Sequence, residues 1–327
     1  MPEKEITYGE ALREALREEM SRNEKIVAMG EDITVPGVGL GAVTKGLFEE
    51  FGSERVRDTP MSESAIVGAG IGAALTGTRA MVEVRWADFL FVAMDQVANQ
   101  AAKLRYMSGG QAEVPVVFRQ AVGAGLSAGP HHSQSPEAIF MHVPGLKVVL
   151  PSTPRDAKGL LKSALRDDNP IMFFEHKALY RIKGMVPTEE YLIPFGKADV
   201  KKEGKDVTIV ATLLMLHRSL TVAREFEKRG ISVEVIDPRT LVPLDEQTII
   251  DSVRKTGRVV IVSEDCKTGG VGAEIAAVIA EKAFPYLKSP VKRVSALDTP
   301  VPFSPVLEKY VIPDEKRIAQ AVEEELT

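Results

Sequence analysis

Short apolar runs alternate with amphipathic stretches along nearly the whole chain. Thr7 to Ser21 sets Ala11, Leu12, Ala15 and Leu16 among charged residues, which is the spacing of a helix with one buried face. Ile26-Val-Ala-Met29 follows as a short apolar strand that ends at Gly30-Glu31-Asp32. A glycine- and alanine-rich segment opens at Glu63 and reads as a helix to Leu75. Beyond it the pattern predicts strands at Arg79–Val84, Pro115–Phe118, Lys147–Leu150 and Ile171–Phe174, and helices over Phe89–Tyr106 and Asp156–Leu165. The rhythm lapses over residues 177–205, where Pro187, Pro194 and scattered charges show no period. It resumes with strands at Val207–Ala211, Val233–Ile236 and Val259–Val262, and helices at Ser219–Lys228, Leu244–Thr256 and Gly272–Ala283. Strands apolar on both faces and separated by helices predict a parallel sheet covered on two sides, hence the α/β class. The expected organisation is a first domain over residues 1–185, a linker over 186–206 and a second α/β domain over 207–327.

Composition narrows the function. At 327 residues the chain is long enough for about two cores. Its 44% hydrophobic and 27% charged residues describe a globular protein, and the net charge of −5, with no basic cluster, gives no reason to expect nucleic acid. Cys266 is the sole cysteine, so an internal disulfide and any all-cysteine metal or iron–sulfur site are excluded. The acidic, non-apolar N-terminus resembles no secretory or transit signal, and Ala65–Leu75 is too short to cross a bilayer. A cytoplasmic protein with no membrane association is expected.

In a parallel sheet the reactive groups gather where strands end, and Glu31, Arg85 and Gln120 hold such positions. Glu63 is the most informative residue. In Asp58-Thr-Pro-Met-Ser-Glu63-Ser-Ala-Ile-Val-Gly68-Ala-Gly-Ile-Gly72, Ser62 is placed to cap a helix and Glu63 falls in its first turn. Gly68 and Gly72, four apart, would let another backbone approach that helix closely. From pattern alone Glu63 is either a capping aid or a carboxylate that shares a proton with a ligand. A second run, Gly123-Ala-Gly-Leu-Ser-Ala-Gly129-Pro-His131-His132-Ser133-Gln-Ser135-Pro-Glu137, delivers two of the five histidines on a glycine-rich loop. They either exchange protons over a ligand or lie in solvent beside a serine-capped helix.

Other chemistries are poorly supported. Consecutive histidines with no His-x-x-x-His do not make a zinc site, and no Gly-x-Ser-x-Gly elbow is present. Gly269-Gly-Val-Gly272 precedes a helix but lacks the Lys-Ser/Thr of a phosphate loop, and reads as tight strand-to-helix packing. Asp167-Asp-Asn169 before Pro170 reads as a helix-ending turn.

Several segments, taken in order, carry a family resemblance: Thr59-Pro-Met-Ser-Glu63, Ala87-Asp-Phe89, Ala93-Met-Asp-Gln96, Arg105-Tyr-Met-Ser-Gly-Gly110, His132-Ser-Gln-Ser135, Pro144-Gly-Leu-Lys-Val-Val149 and Asp298-Thr-Pro-Val-Pro-Phe303. The chain closely resembles, over essentially its whole length, the β subunit of the thiamine-diphosphate-dependent decarboxylase component of 2-oxo acid dehydrogenase complexes. The resemblance implies a parallel-sheet domain that binds the cofactor pyrimidine, followed by a transketolase C-terminal-like α/β domain. It implies decarboxylation of a 2-oxo acid, pyruvate foremost, with transfer of the acyl group to the lipoyl group of a dihydrolipoyl acyltransferase. Acetoin-cleaving and branched-chain 2-oxo acid dehydrogenases share the pattern, and a scaffold subunit that has lost the chemistry is the alternative of another class. Retention of Glu63, Phe89 and His132 together argues against the scaffold.

On the resemblance, Glu63 matches the glutamate that pairs with N1′ of the aminopyrimidine, and Phe89 the aromatic residue packed on that ring. Glu31, Met61 and Ser62 line the same pocket, His132 handles protons, and Trp86, Asp88 and His131 stand at the substrate entrance. Arg85 departs from the uncharged residue that many relatives carry, and is expected to meet a substrate carboxylate, Glu83 or another nearby acid. A potassium site maps onto Val116, Ala164, Leu165, Asp167 and Asn169, mostly through backbone oxygens. The chain holds no Gly-Asp-Gly, the sequence with which thiamine enzymes bind Mg²⁺ and diphosphate. That half of the site is therefore expected from an α subunit, in an α₂β₂ heterotetramer docked on the acyltransferase core.

Overall fold

The computed structural model describes residues 2–35 and 43–327. The chain forms two compact units. One comprises the residues up to Val122 and Ile139–Phe195, the other Gly123–Ala138 and Gly196–Thr327. The glycine-rich segment with both histidines thus groups with the second unit.

The elements up to residue 187 are β1 (Glu3–Thr7), α1 (Tyr8–Arg22), β2 (Ile26–Gly30), α2 (Leu47–Phe51), β3 (Val56–Asp58), α3 (Glu63–Leu75), β4 (Arg79–Glu83), α4 (Ala102–Met107), β5 (Val116–Val122), α5 (Glu137–Met141), β6 (Lys147–Val149), α6 (Pro154–Arg166), β7 (Ile171–His176) and β8 (Lys183–Pro187). In the first unit the strands run in the order β6-β7-β5-β4-β2-β3, all parallel. Every position of β5 is buried, as expected for a strand covered on both faces. α1 starts in a capping box in which Thr7 and Glu10 satisfy each other's backbone N–H groups. It packs against α6, where the buried Lys158 and Lys162 ammonium groups are matched by Glu14, Glu18 and Glu190.

The second unit continues with β9 (Asp199–Lys202), β10 (Val207–Ala211), α7 (Leu213–Lys228), β11 (Val233–Asp237), β12 (Thr240–Val242), α8 (Glu246–Thr256), β13 (Val259–Cys266), α9 (Val271–Ala283), β14 (Lys292–Ala296), α10 (Pro305–Val311) and α11 (Glu315–Leu326). Its sheet has the order β14-β13-β10-β11-β9, parallel except for the edge strand β9. Val207, Ile209, Phe226, Val235, Val260 and Ile318 lie in its core. The α/β class read from the pattern is the one observed.

Three local readings change. The helix expected over Phe89–Tyr106 is broken into a 3₁₀ turn at Ala87–Phe91, a π-helical stretch at Asp95–Ala101 and then α4. A π turn adds one residue to the turn and shifts the apolar stripe by a single position, too small a change over seven residues to stand out from α-helical spacing. α7 begins at Leu213 rather than Ser219, because the run Leu213-Leu-Met-Leu216 is apolar on every side and shows no period. The stretch 177–205 holds β8, paired antiparallel with β1, and β9. Both strands are defined by partners distant in sequence, which no local pattern announces. Among the described residues, no helix is long and apolar enough to cross a membrane.

Candidate active site

Adjacent strand ends bring the acidic groups together. β2 and β4 pair in register up to Gly30 opposite Glu83, so Glu31-Asp32 and Arg85-Trp86 emerge side by side. A Cβ at Gly30 would fall 2.2 Å from the Glu83 carbonyl oxygen, so only glycine permits this approach. Trp86 forms a parallel bridge to Ala121, whose N–H donates to the Arg85 carbonyl at 3.3 Å.

Glu31 is buried, and its Oε1 has no hydrogen-bond partner. Burial, and next the charge of Glu63, push its carboxyl above the ordinary glutamate range; Arg85 opposes them, while Asp32 and Glu83 add to the rise. The Arg85 guanidinium forms an ion pair with Asp32 at 2.9 Å. Of the partners expected for it, this nearby acid is the one it meets, because Glu83 is taken by Arg119. Asp32 (φ 53°) and Arg85 (φ 59°) are both left-handed, a conformation that costs a non-glycine residue about 1–3 kcal/mol.

Glu63 opens α3 half-buried, with Ser62 at the N-cap position but making no side-chain cap bond. The first turn of α3 therefore leaves its donors and positive dipole end to other groups. The close approach expected at Gly68 and Gly72 is found instead at Gly70, where an added Cβ would lie 2.3 Å from Val82 Cγ2; Gly72 has nothing within 4 Å. Met61 is 86% exposed, Phe89 is half-buried and Asp88 is buried. The Lys177 ammonium lies 4.7 Å from the centre of the Trp86 ring. Glu31, Met61, Ser62, Glu63, Arg85, Trp86, Asp88 and Phe89 all belong to the first unit.

His131 is exposed and His132 half-buried in the second unit, where the His132 N–H donates to the Gly129 carbonyl at 3.3 Å. Their loop is tied by carboxylates. The Ala124 N–H donates to Glu264 at 2.6 Å, and the Gly125 and Ser127 N–H groups to Glu308 at 2.9 and 3.1 Å.

The oxygens expected to hold potassium already face cations. Arg79 donates to the carbonyls of Leu165 (3.3 Å) and Asp167 (2.9 Å), and Arg105 to the side chain of Asn169 (3.1 Å). Burial works against the charge on Asp167, yet the Lys147 ammonium and Asn169 hold its carboxyl below the usual range. The Ala164 carbonyl accepts from the Asp167 N–H, and Val116 lies buried in β5. Among the described residues, no group of three or more His, Cys, Asp or Glu side chains is placed to hold a metal ion.

Sequence reading missed a buried charge network beneath the acids. Arg119 on β5 donates to Glu175 through Nε and a terminal nitrogen at 2.6 Å each, and to Glu83; the Tyr180 hydroxyl donates to Glu175 at 2.6 Å. The paired carboxylates hold Arg119 firmly charged despite full burial. Gln120, its neighbour, buries both amide atoms without a partner. Charged residues inside or at the end of three otherwise apolar strands were the available signal.

Residues 4–183 match the family described as "Transketolase, pyrimidine binding domain" and residues 196–318 that described as "Transketolase, C-terminal domain". The 2-oxoisovalerate dehydrogenase subunit beta of Bacillus subtilis (strain 168) is 47% identical over 98% of each chain. The chain belongs to the β-subunit family of the 2-oxo acid dehydrogenases. This β-subunit chain is also 49% identical to the acetoin:2,6-dichlorophenolindophenol oxidoreductase subunit beta of Cupriavidus necator (95% of this chain, 94% of the relative). It is 46% identical to the pyruvate dehydrogenase E1 component subunit beta of Rickettsia felis (97% of each). Identities this close do not choose among the three donors. A solved split-gene transketolase, described as an inactive beta4 tetramer, superimposes with a TM-score of 0.80 at 25% identity over 98% of each chain.

Proposed function

We propose that this β subunit supplies the pyrimidine-side half of a thiamine diphosphate site in a 2-oxo acid dehydrogenase, active together with an α subunit in an α₂β₂ assembly. The observation that carries the reading is the pair Glu31 and Glu63. One is a buried acid with an unpartnered oxygen, and the other sits beside it at the mouth of α3. With the unpartnered amide of Gln120, they fit a heterocycle that brings its own ring donors and acceptors. Bound thiamine diphosphate would supply a thiazolium carbon acid able to attack a 2-oxo carbonyl.

In this proposal Glu63 holds and moves a proton at N1′ of the aminopyrimidine, Phe89 packs on that ring, and Glu31, Met61 and Ser62 line the pocket. His132 exchanges protons with substrate or the lipoyl group, and His131, Trp86 and Asp88 shape the entrance. Mg²⁺ and the diphosphate are assigned to the α subunit, since this chain lacks Gly-Asp-Gly. Potassium at Val116, Ala164, Leu165, Asp167 and Asn169 would use the carbonyl lone pairs that Arg79 leaves free. The second unit is proposed to contribute to the contact between β subunits and to dock the acyltransferase core.

Pyruvate is the expected donor; the 49% identity to an acetoin-oxidising relative supports acetoin as the second reading. The test is co-expression with the α partner, thiamine diphosphate and Mg²⁺, following dye reduction with pyruvate, a branched-chain 2-oxo acid and acetoin. Activity with one donor, lost by about 10²–10⁴-fold in Glu63→Gln and absent from the β chain alone, is the expected result. Full activity of the β chain alone, or of Glu63→Gln, would sink the proposal.

A further inference from the structure

We propose that Arg85 is a positioning residue, locked by Asp32, which sets the proton occupancy of the buried Glu31 carboxyl beside Glu63 and does not bind the substrate carboxylate. The inference deepens the proposed function and rests on it only for the role of Glu63; the ion pair and the buried acid belong to the chain itself. Arg85 and Asp32 both adopt left-handed backbone, and their side chains meet at 2.9 Å. Two unfavourable backbone conformations facing one ion pair indicate surroundings that over-determine the contact.

Each side of the pair is anchored. The Arg85 carbonyl accepts from Ala121 and Trp86 bridges the same residue, which ties the arginine to β5. The Ile33 N–H donates to Asp58 at 3.0 Å and the Val35 N–H to the Asp32 carbonyl at 3.3 Å, which fixes the aspartate. Glu31 is faced by Glu63 from α3, by Asp32 beside it, and by Glu83 from the end of β4, whose charge Arg119 already balances. Arg85 is the cation set against these acids. A substrate carboxylate that captured Arg85 would strip Asp32 of its partner and leave it facing Glu31.

Trp86, the chain's sole tryptophan, follows Arg85 directly, so its fluorescence reports the charge state of the site. The experiment is a pH titration of Trp86 emission in the full β chain, followed by pH–rate profiles of the α₂β₂ complex. In the wild type the emission transition should be abolished by Glu31→Gln. Arg85→Met should raise its midpoint by about one pH unit, tenfold in proton affinity, and Arg85→Lys should restore much of that shift. Asp32→Asn, which removes a negative neighbour, should lower it. The acid limb of kcat/KM should move the same way, with KM for the donor unchanged.

A midpoint that stays put in Arg85→Met, or in Asp32→Asn should Arg85→Met fail to fold, overturns the proposal. So does a KM that rises with an unmoved pH profile. If the emission shifts appear but no complex, wild type included, turns over any donor, the proposed function fails and the assignment of Arg85 stands.

Discussion

One added methyl group at Gly30 should loosen the acidic site from below. The Cβ of Gly30→Ala would lie 2.2 Å from the Glu83 carbonyl oxygen and 3.0 Å from the carbonyl carbon and Cβ of the same residue. Since such contacts do not fall under 3.0 Å, β2 and β4 must part by about 0.8 Å at the point where they carry Glu31 and Arg85. The obstacle is backbone, so no rotamer change relieves it. Overpacking of this kind costs about 1–3 kcal/mol, and a weakened ladder hydrogen bond adds about 1 kcal/mol. For a unit of this size each kcal/mol lowers the melting temperature by about 2–4 °C, so a fall of roughly 5–15 °C is expected. Displacement of the carboxylates should also lower turnover of the assembled enzyme by about 10²-fold. Gly72→Ala is the control: it lies on the exposed side of α3 with nothing within 4 Å, and should stabilise by about 0.4–1 kcal/mol. Melting followed by circular dichroism and dye reduction by the α₂β₂ complex give both readouts. A Gly30→Ala melting temperature within about 1 °C of wild type, with full turnover, would refute the packing argument.

Other perturbations test the charge arrangements. Burial, and then the charges of Asp265 and Glu264, hold the Glu137 carboxyl well above its ordinary 4.5. An acid whose folded pKa is raised contributes stability that is present below the unfolded value and lost as pH rises toward the folded one. The wild-type melting temperature should therefore decline, as pH rises above the ordinary carboxylate range, more steeply than that of Glu137→Gln; equal slopes would rule the effect out. Arg119→Met leaves Glu83 and Glu175 buried without their cation and should cost about 3–5 kcal/mol in urea unfolding. Tyr180→Phe removes one hydrogen bond from the same network and should cost about 1 kcal/mol; similar losses for both would mean the network is not organised around Arg119. If a potassium ion occupies the 164–169 turn, KCl should raise the melting temperature above that in equimolar NaCl, and identical curves would remove the ion from the proposal.

The fold class was legible because fully covered parallel strands must be apolar throughout. Ile26–Met29, Val116–Phe118 and Val259–Val262 could be recognised as buried strands without knowledge of their neighbours. Glu63 and the histidine pair stood out for a similar reason, as ionisable groups set in glycine-rich, apolar surroundings. Arg119 and Glu175 were hidden, since an isolated charge beside an apolar run reads as solvent-facing until three strands align it with its partners.

Local chemistry in the chain thus dictated the alternation of strands and helices, the capping of α1 by Thr7 and Glu10, and the set of residues available for proton transfer. Periodicity and capping act within a few residues, so they are written in order along the sequence. Tertiary packing decided which carboxylate is pressed upward, which arginine answers it, that Gly70 rather than Gly68 or Gly72 makes the close approach, and that the histidine loop belongs to the second unit. Those outcomes depend on burial and on charges brought within a few ångströms from distant positions. Neither exists until the sheet has formed.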